Sequence, residues 1–430
     1  MDLMRILIAA TLTAVLAPAD NWPAWRGSDG LGVTTATNLP TQWSRTENVK
    51  WRIDLPAPGN STPIVWGGRV FLTQPKPGGH RALLAIDRAT AKLLWEASVQ
   101  WEGDDPTHAT NPHASASPAT DGERVVAWFG SAGIVAYDMN GKELWKRDLG
   151  RQRHTWGYAS SPVIHGDRVF LNFGPGDRAF LLALDKKTGK TLWQADVPAG
   201  EGVKFANWDP RDMYGSWSTP LIVRDGSRDL LVVTHPRKLV AHDPANGKPV
   251  WSAEGMGDLV YPSPIVGRTG KGDRVIVAPS GFQGPSMVVK LGGTGDVTAS
   301  HRLWHVAKSK NLIGSGVVVD GYLYWVDTTG IAQGIELSTG EVMWTQRISP
   351  KAKDGGVWSS VVRNGSNLYV NNKSGETVVF KANAREFQTV AVNSVEEPTN
   401  SSIVAIDNEI FLRTHASLWC IAASATVSRP

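Results

Sequence analysis

The residues able to do chemistry are few and scattered. His108 and His113 stand close together, but Pro112 between them disfavours a helix that would set both on one face. His80, His154 and His165 fall in other segments. Glu102, Asp104 and Asp105 form one acidic cluster, and Asp209 and Asp212 form another. Carboxylates of this kind are the hard oxygen ligands that a calcium ion takes. Both clusters lie in linkers and read more simply as polar loop residues. No HExxH pair, cysteine cluster, Gly-x-Ser-x-Gly elbow or Gly-rich phosphate loop occurs, so metal hydrolysis and nucleophilic catalysis have no motif behind them. No catalytic residue and no metal site are expected. The aromatic residues are more informative, because the chain carries 19 Trp among 430 residues.

An internal repeat accounts for many of these tryptophans. A Ser/Thr-Pro step opens each copy, followed by apolar runs separated by Gly/Asp turns, then Asp, a Gly turn and Trp. The third copy is the clearest: Ser160-Ser161-Pro162, Gly166-Asp167-Arg168, Val169-Phe170-Leu171, Leu181 to Asp185, Thr188-Gly189-Lys190, and Leu192-Trp193. Short β-branched and aromatic runs bounded by Gly, Asp and Pro read as strands and tight turns. The opening step recurs as Ser61-Thr62-Pro63, Ala116-Ser117-Pro118, Ser218-Thr219-Pro220 and Pro262-Ser263-Pro264. It degenerates to Ser315-Gly316-Val317, Ser359-Ser360-Val361 and Ser401-Ser402-Ile403. The period suits four-stranded propeller blades.

The eighth copy, from Asn400 to Ala422, lacks a closing strand, and Val49 to Leu55 resembles the closing strand Leu93 to Val99. An N-terminal strand completing the last blade closes the ring without a free sheet edge. The expected fold is all-β: an eight-bladed propeller of four-stranded antiparallel blades in one domain over residues 49–422, preceded by an extension over 20–48 and followed by a tail over 423–430. Trp51, Trp95, Trp145, Trp193, Trp251, Trp304 and Trp344 occupy one fixed place per repeat and are expected to wedge between adjacent sheets. The seventh copy has no such Trp. It carries Lys381 to Phe387 in place of the turn and should be the most loosely wedged blade.

Inner strands of a propeller converge on its axis, so residues just before each opening step should ring one mouth. The residue three before the Pro position is Asn60, Ser115, Ala159, Trp217, Tyr261, Gly314, Trp358 and Asn400 in turn. His113, Trp156 and Tyr158 stand beside them. The ligand-binding candidates are therefore Asn60, His113, Trp156, Tyr158, Trp217, Tyr261, Trp358 and Asn400. Aromatic faces with amides suit sugars, peptides or extended chains, or else they plug the channel as packing.

Ala183 to Trp193 resembles the tryptophan-docking motif of PQQ-like (pyrroloquinoline-quinone) propeller repeats. Quinoprotein alcohol dehydrogenases share that repeat with the outer-membrane assembly factor BamB and its relatives. Trp22 to Gly27 and Gly215 to Pro220 resemble a bacterial envelope subgroup of PQQ-binding-like repeat proteins. The resemblance implies either a binding scaffold or a PQQ- and Ca-dependent alcohol or sugar dehydrogenase. Many such dehydrogenases place a disulfide of adjacent cysteines on the quinone, and Cys420 stands alone here.

Arg5, the apolar stretch Ile6 to Leu16 and Ala17-Pro18-Ala19 read as an export signal over residues 1–19. No acceptor cysteine for a lipid anchor and no later membrane-length apolar stretch follow. The net charge of +4 is dispersed, which gives no footprint for nucleic acid. The leading expectation is a periplasmic or secreted, monomeric, non-catalytic propeller that carries no cofactor. Its partners would be envelope or extracellular proteins or polymer chains. The dehydrogenase is the first alternative and a carbohydrate-binding module the second.

Overall fold

The computed structural model describes residues 21–197, 214–352 and 356–423, and the export signal lies outside them. The chain forms eight blades of four antiparallel strands each, two of which gain a short fifth strand in parallel. Blade 3 shows the plan: Val163–His165, Arg168–Phe173, Phe180–Asp185 and Thr191–Asp196. Phe180–Asp185 is almost wholly buried, because a middle strand is covered on both faces by neighbouring blades. Thr191–Asp196, the outer strand, alternates exposed and half-buried residues. That contrast is why middle strands read as unbroken apolar runs and outer strands do not. Val49–Asp54 pairs antiparallel with Ser417–Ala422 and completes blade 8.

The docking tryptophans wedge as their spacing implies. The Trp193 indole N–H donates to the Pro244 carbonyl of the next blade at 3.0 Å, and equivalent bonds run from Trp51, Trp95, Trp145, Trp304 and Trp344. Each ring covers the next blade's turn. A Cβ on Gly247 would lie 2.5 Å from the Trp193 ring, and Gly247 has φ +73°. Two features therefore demand glycine there, the close approach and the left-handed backbone. Trp251 differs, because its outer edge is covered by the parallel strand Gly295–Asp296 and its indole N–H has no protein partner.

Blade 7 corrects the expectation of a loose wedge. Ala391 faces Val379 where other blades carry Trp, but Trp43 from the N-terminal segment is buried in the same cluster. The Trp43 backbone N–H donates to Asn393 Oδ1, and the Asn393 amide donates back to the Thr41 carbonyl, while the Trp43 indole N–H has no protein partner. The missing indole is supplied from outside the repeat.

The Ser/Thr-Pro step has a structural cause. The backbone N–H of its middle residue donates to the side-chain hydroxyl of the equivalent residue one blade on. Thr62 donates to Ser117, Ser117 to Ser161, Ser161 to Thr219 and Thr219 to Ser263. Ser263 then donates to Ser315, Ser315 to Ser360, Ser360 to Ser402, and Ser402 back to Thr62, at 2.8–3.3 Å throughout. Eight hydroxyls thus close a belt around the axis. Ser315 occupies the blade 6 place, so the step there is Gly314-Ser315-Gly316, one residue earlier than the sequence alignment set it.

The N-terminal segment closes the channel beneath the belt. Trp22 exchanges two backbone bonds with Val65 of blade 1, and Thr120 of blade 2 donates to Pro23. The segment then crosses the axis, where Val33–Thr34 runs parallel to the inner strand Val362–Asn364 of blade 7. Arg26 is fully buried and donates to the carbonyls of Leu31, Ser315 and Gly316. Burial lowers its pKa to about 10, so it stays charged at neutral pH. At the seam of blades 8 and 1, buried Arg413 likewise donates to the Ser61 and Thr73 carbonyls and to Gln74.

Removing one belt hydroxyl leaves a buried N–H without a partner, which costs about 1–3 kcal/mol. Ser161→Ala should lower the denaturant midpoint accordingly, whereas Ser161→Thr should be close to neutral, since Thr62 and Thr219 already serve in the belt. Equal midpoints for Ser161→Ala and the parent protein would remove the belt from the stability account.

Candidate functional site

Above the belt, the mouth holds a cavity of about 480 Å³. Its walls are the residues that precede the inner strands, and seven of the eight belt residues face it. Asn60, Ser115, Ala159, Trp217, Tyr261, Trp358 and Asn400 line it as the alignment placed them. Ile313 takes the blade 6 place in accordance with the register of Ser315. Trp156 also lines the cavity. Trp25 of the crossing segment lines it too, a residue that the mouth alignment could not reach.

The two sides of the mouth differ. Blades 3 to 5 form an aromatic panel in which the ring centroids of Trp217 lie 6.0 Å from Trp156 and 4.8 Å from Tyr261. The Trp217 indole N–H is held by the Gly157 carbonyl at 3.1 Å, which fixes the panel's centre. Burial pushes the Tyr261 phenol up, so it is protonated at neutral pH, and its oxygen has no protein partner. Trp358 faces the panel from blade 7, with the Lys373 ammonium 5.2 Å from its ring centroid.

Amides make the opposite wall. The carbonyl of Thr110 accepts from Asn60 Nδ2 at 2.9 Å and from Asn400 Nδ2 at 3.0 Å, joining blades 1 and 8 to the connector between blades 1 and 2. A carbonyl partner fixes which way both amides point. Each Oδ1 is therefore an acceptor, and neither has a protein partner. A buried acceptor left unpaired costs about 1–3 kcal/mol.

The connector itself is tied down behind the wall. Asp105 is not a loop carboxylate awaiting a cation. Its side chain, 4% exposed, pairs with that of Arg81, 3% exposed, and accepts from Ser131. Asn111 donates to the carbonyls of Trp156 and Tyr158. Glu102 and Asp104 are exposed, as a solvated loop requires, and Asp209 and Asp212 lie outside the described residues.

His113 and Tyr158, proposed for the mouth, do not line the cavity. Tyr158 packs on Trp128, with ring centroids 4.7 Å apart, and its hydroxyl accepts from the Ala114 N–H. Burial first, and then the Arg81 charge, hold the His113 imidazole below its usual range. Both residues brace the Arg81–Asp105 region. His108 lines the cavity instead, its Nδ1 2.7 Å from the Thr110 hydroxyl. Nothing in its spacing distinguished it from His113.

Known proteins can now be set against this geometry. The profile described as outer membrane protein assembly factor BamB matches residues 22–177 and 177–425. The chain belongs to that family. Among curated relatives, a polyvinylalcohol dehydrogenase of a Pseudomonas species is 25% identical over 86% of this chain and 59% of its own length. The dehydrogenase subunit of an alcohol dehydrogenase (quinone) from Gluconacetobacter polyoxogenes is 27% identical over 62% of this chain and 42% of its own. The chain thus spans about half the length of these relatives. Among solved structures, a europium-containing methanol dehydrogenase superposes with TM-score 0.68 at 11% identity, covering 94% of this chain and 98% of that one. BamB from Moraxella catarrhalis gives 0.60 at 15% identity, covering 86% and 98%. These superpositions establish the fold.

The expectation of a chain without cofactor is corrected by these two curated relatives, both of which bear dehydrogenase names and one of which is named for its quinone. The scaffold reading loses ground with it. Trp156, Trp217 and Tyr261 make the apolar part of the mouth, with Trp156 and Tyr261 tilted by 36° and 56° to Trp217, so a planar quinone there would stack on one ring and meet the others at an angle. Among the described lining residues none is Asp, Glu, Lys or Arg, so these residues offer a metal only uncharged oxygens and give acidic groups no fixed counter-charge.

The Arg81–Asp105 pair gives a test of how the wall is held. Removing one partner of a buried pair strands the other charge and costs about 3–5 kcal/mol. Asp105→Asn should lower the thermal midpoint and speed amide hydrogen exchange over residues 104–114 more than elsewhere. Uniform exchange across the chain would separate this pair from the connector.

Proposed function

We propose that this chain is a quinone-dependent oxidoreductase acting on alcohols at the axial mouth. The observation that carries the reading is an aromatic-panelled cavity on the axis of a chain whose curated relatives bear alcohol-oxidising names. The chemistry that a bound quinone supplies is two-electron oxidation of an alcohol to a carbonyl. The chain's own part is to stack the ring on the Trp217 panel, orient the alcohol and exclude water. It also has to take the alcohol's proton. Among the described lining residues His108 and Tyr261 are the titratable ones, and Tyr261 is already protonated. The His108 imidazole is then the base within the cavity, positioned by Thr110. Export to the periplasm or the cell exterior, read from residues 1–19, belongs to the same proposal. Among the described residues no helix is long and apolar enough to cross a membrane.

The uncharged lining favours a second reading, a propeller that binds a hydroxylated ligand without oxidising it. The two separate in one experiment. Protein incubated with pyrroloquinoline quinone and Ca²⁺ should retain stoichiometric quinone after gel filtration and reduce an artificial dye when given alcohols. His108→Gln should keep the quinone and lose turnover by about 10²–10⁴-fold, the range for removing a general base. No retained quinone and no dye reduction would leave the binding reading in place.

A further inference from the structure

A second recess lies away from the axis, between blades 5 and 6, and its origin is visible in the repeat. Four wedge tryptophans pack on a ring from their own blade: Trp95 on Phe71, Trp193 on Phe170, Trp344 on Tyr324 and Trp51 on Phe411. Blade 5 places Val277 at that register, so Trp304 has no such ring beside it. Blade 6 departs as well. Its Gln333 stands where blade 3 has Leu182, on the face toward the preceding blade. The Trp325 indole N–H donates to Gln333 Oε1, and Gln333 Nε2 donates to Thr345, so the amide is spent within its own blade. The result is a recess of about 280 Å³ whose walls include Trp304, Trp325, Val306 and Val342. Val306 is 40% and Val342 46% exposed, so apolar surface lies open to water there.

One end of the recess is basic. Lys308 and Lys310 line it from the connector between the blades, and among the described residues neither ammonium has a carboxylate within ion-pair reach. No Asp or Glu is among the described lining residues. Ser309 between the two lysines is pinned: its N–H and its hydroxyl both donate to the Gly284 carbonyl, and it accepts from the Ser286 hydroxyl. Both cations are therefore carried on a fixed backbone. The same connector continues into the mouth, where Asn311 and Ile313 line the axial cavity, so recess and mouth share a wall.

We propose that this recess is a second ligand site, for a single-tailed amphiphilic carboxylate. The tail leaves water against Trp304, Trp325 and Val342, and the carboxylate meets the two ammoniums. Both halves of the ligand are needed. A neutral tail gains nothing from the lysines, and a short anion is left to exposed charges that salt screens. The site stands apart from whatever is oxidised at the mouth.

Octanoate is the probe, read by calorimetry on the full chain against octanol, octylammonium, hexanoate and butyrate. Octanoate should occupy one site per chain and bind about tenfold tighter than octanol, the share that two exposed ion pairs supply. Each methylene removed should weaken binding about threefold, and octylammonium should not bind. Amide hydrogen exchange gives the location: octanoate should slow exchange over residues 302–310 and 331–345 and leave 104–114, at the mouth, unchanged. Lys308→Gln combined with Lys310→Gln should reduce octanoate to the affinity of octanol with the thermal midpoint unmoved, since neither lysine makes an ion pair. Val342→Asp, which sets a carboxylate beside the tail, should abolish binding. Equal affinity for octanoate and octanol, full affinity in the double lysine variant, protection at 104–114 in place of 302–310, or no octanoate binding at all would each overturn the proposal.

Discussion

Everything at the axis depends on one ring of hydrogen bonds, in which each blade's backbone N–H is satisfied by the next blade's hydroxyl. Inner strands of a propeller splay from one another and cannot pair as a sheet. Their first N–H groups are buried, and a buried donor needs a partner. A Ser or Thr at that place is the smallest side chain that reaches across the gap. The belt sets the distance between neighbouring inner strands, and through them the positions of Trp217, Tyr261, Trp358 and the paired asparagines above it. The same constraint fixes the level to which Arg26 reaches from below, since its guanidinium is received by the carbonyls of Ser315 and Gly316. The cavity is bounded below by an interaction that repeats and above by residues that do not.

That division explains what could be read from the sequence. Features that recur once per blade were legible: the Asp, Gly and Trp of the docking turn, the Ser/Thr-Pro step, and the truncated eighth copy that called for Val49–Asp54. Aligning blades on the recurrent step also brought seven of the eight mouth positions together. The eighth failed for a physical reason. Without Pro, blade 6 offered Ser315 beside two glycines, and only its hydrogen bonds with Ser263 and Ser360 reveal that it occupies the belt.

Features that occur once were not legible. Nothing periodic marks Asp105 as the buried partner of Arg81, because the pair joins a connector to a strand in the neighbouring blade. Nothing marks Trp43 as the wedge for blade 7, since it is supplied from more than 300 positions away in the chain. His108 and His113 looked alike as residues, and they differ by which side of the connector each faces. The functional reading met the same limit. The repeat named two groups of proteins, and the choice between them turned on relatives, not on any motif within the blades.

The crossing segment has a consequence for how the molecule comes into being. Residues 22–54 touch blades 1, 2, 6 and 7 and then complete blade 8, whose other strands lie at 404–422. Each blade is a local meander that needs only its own strands, but the ring closes and its channel is stoppered only when segments more than 350 positions apart meet. Closure of the ring is thus a separate event from formation of the blades, and it rests on a single pair of strands.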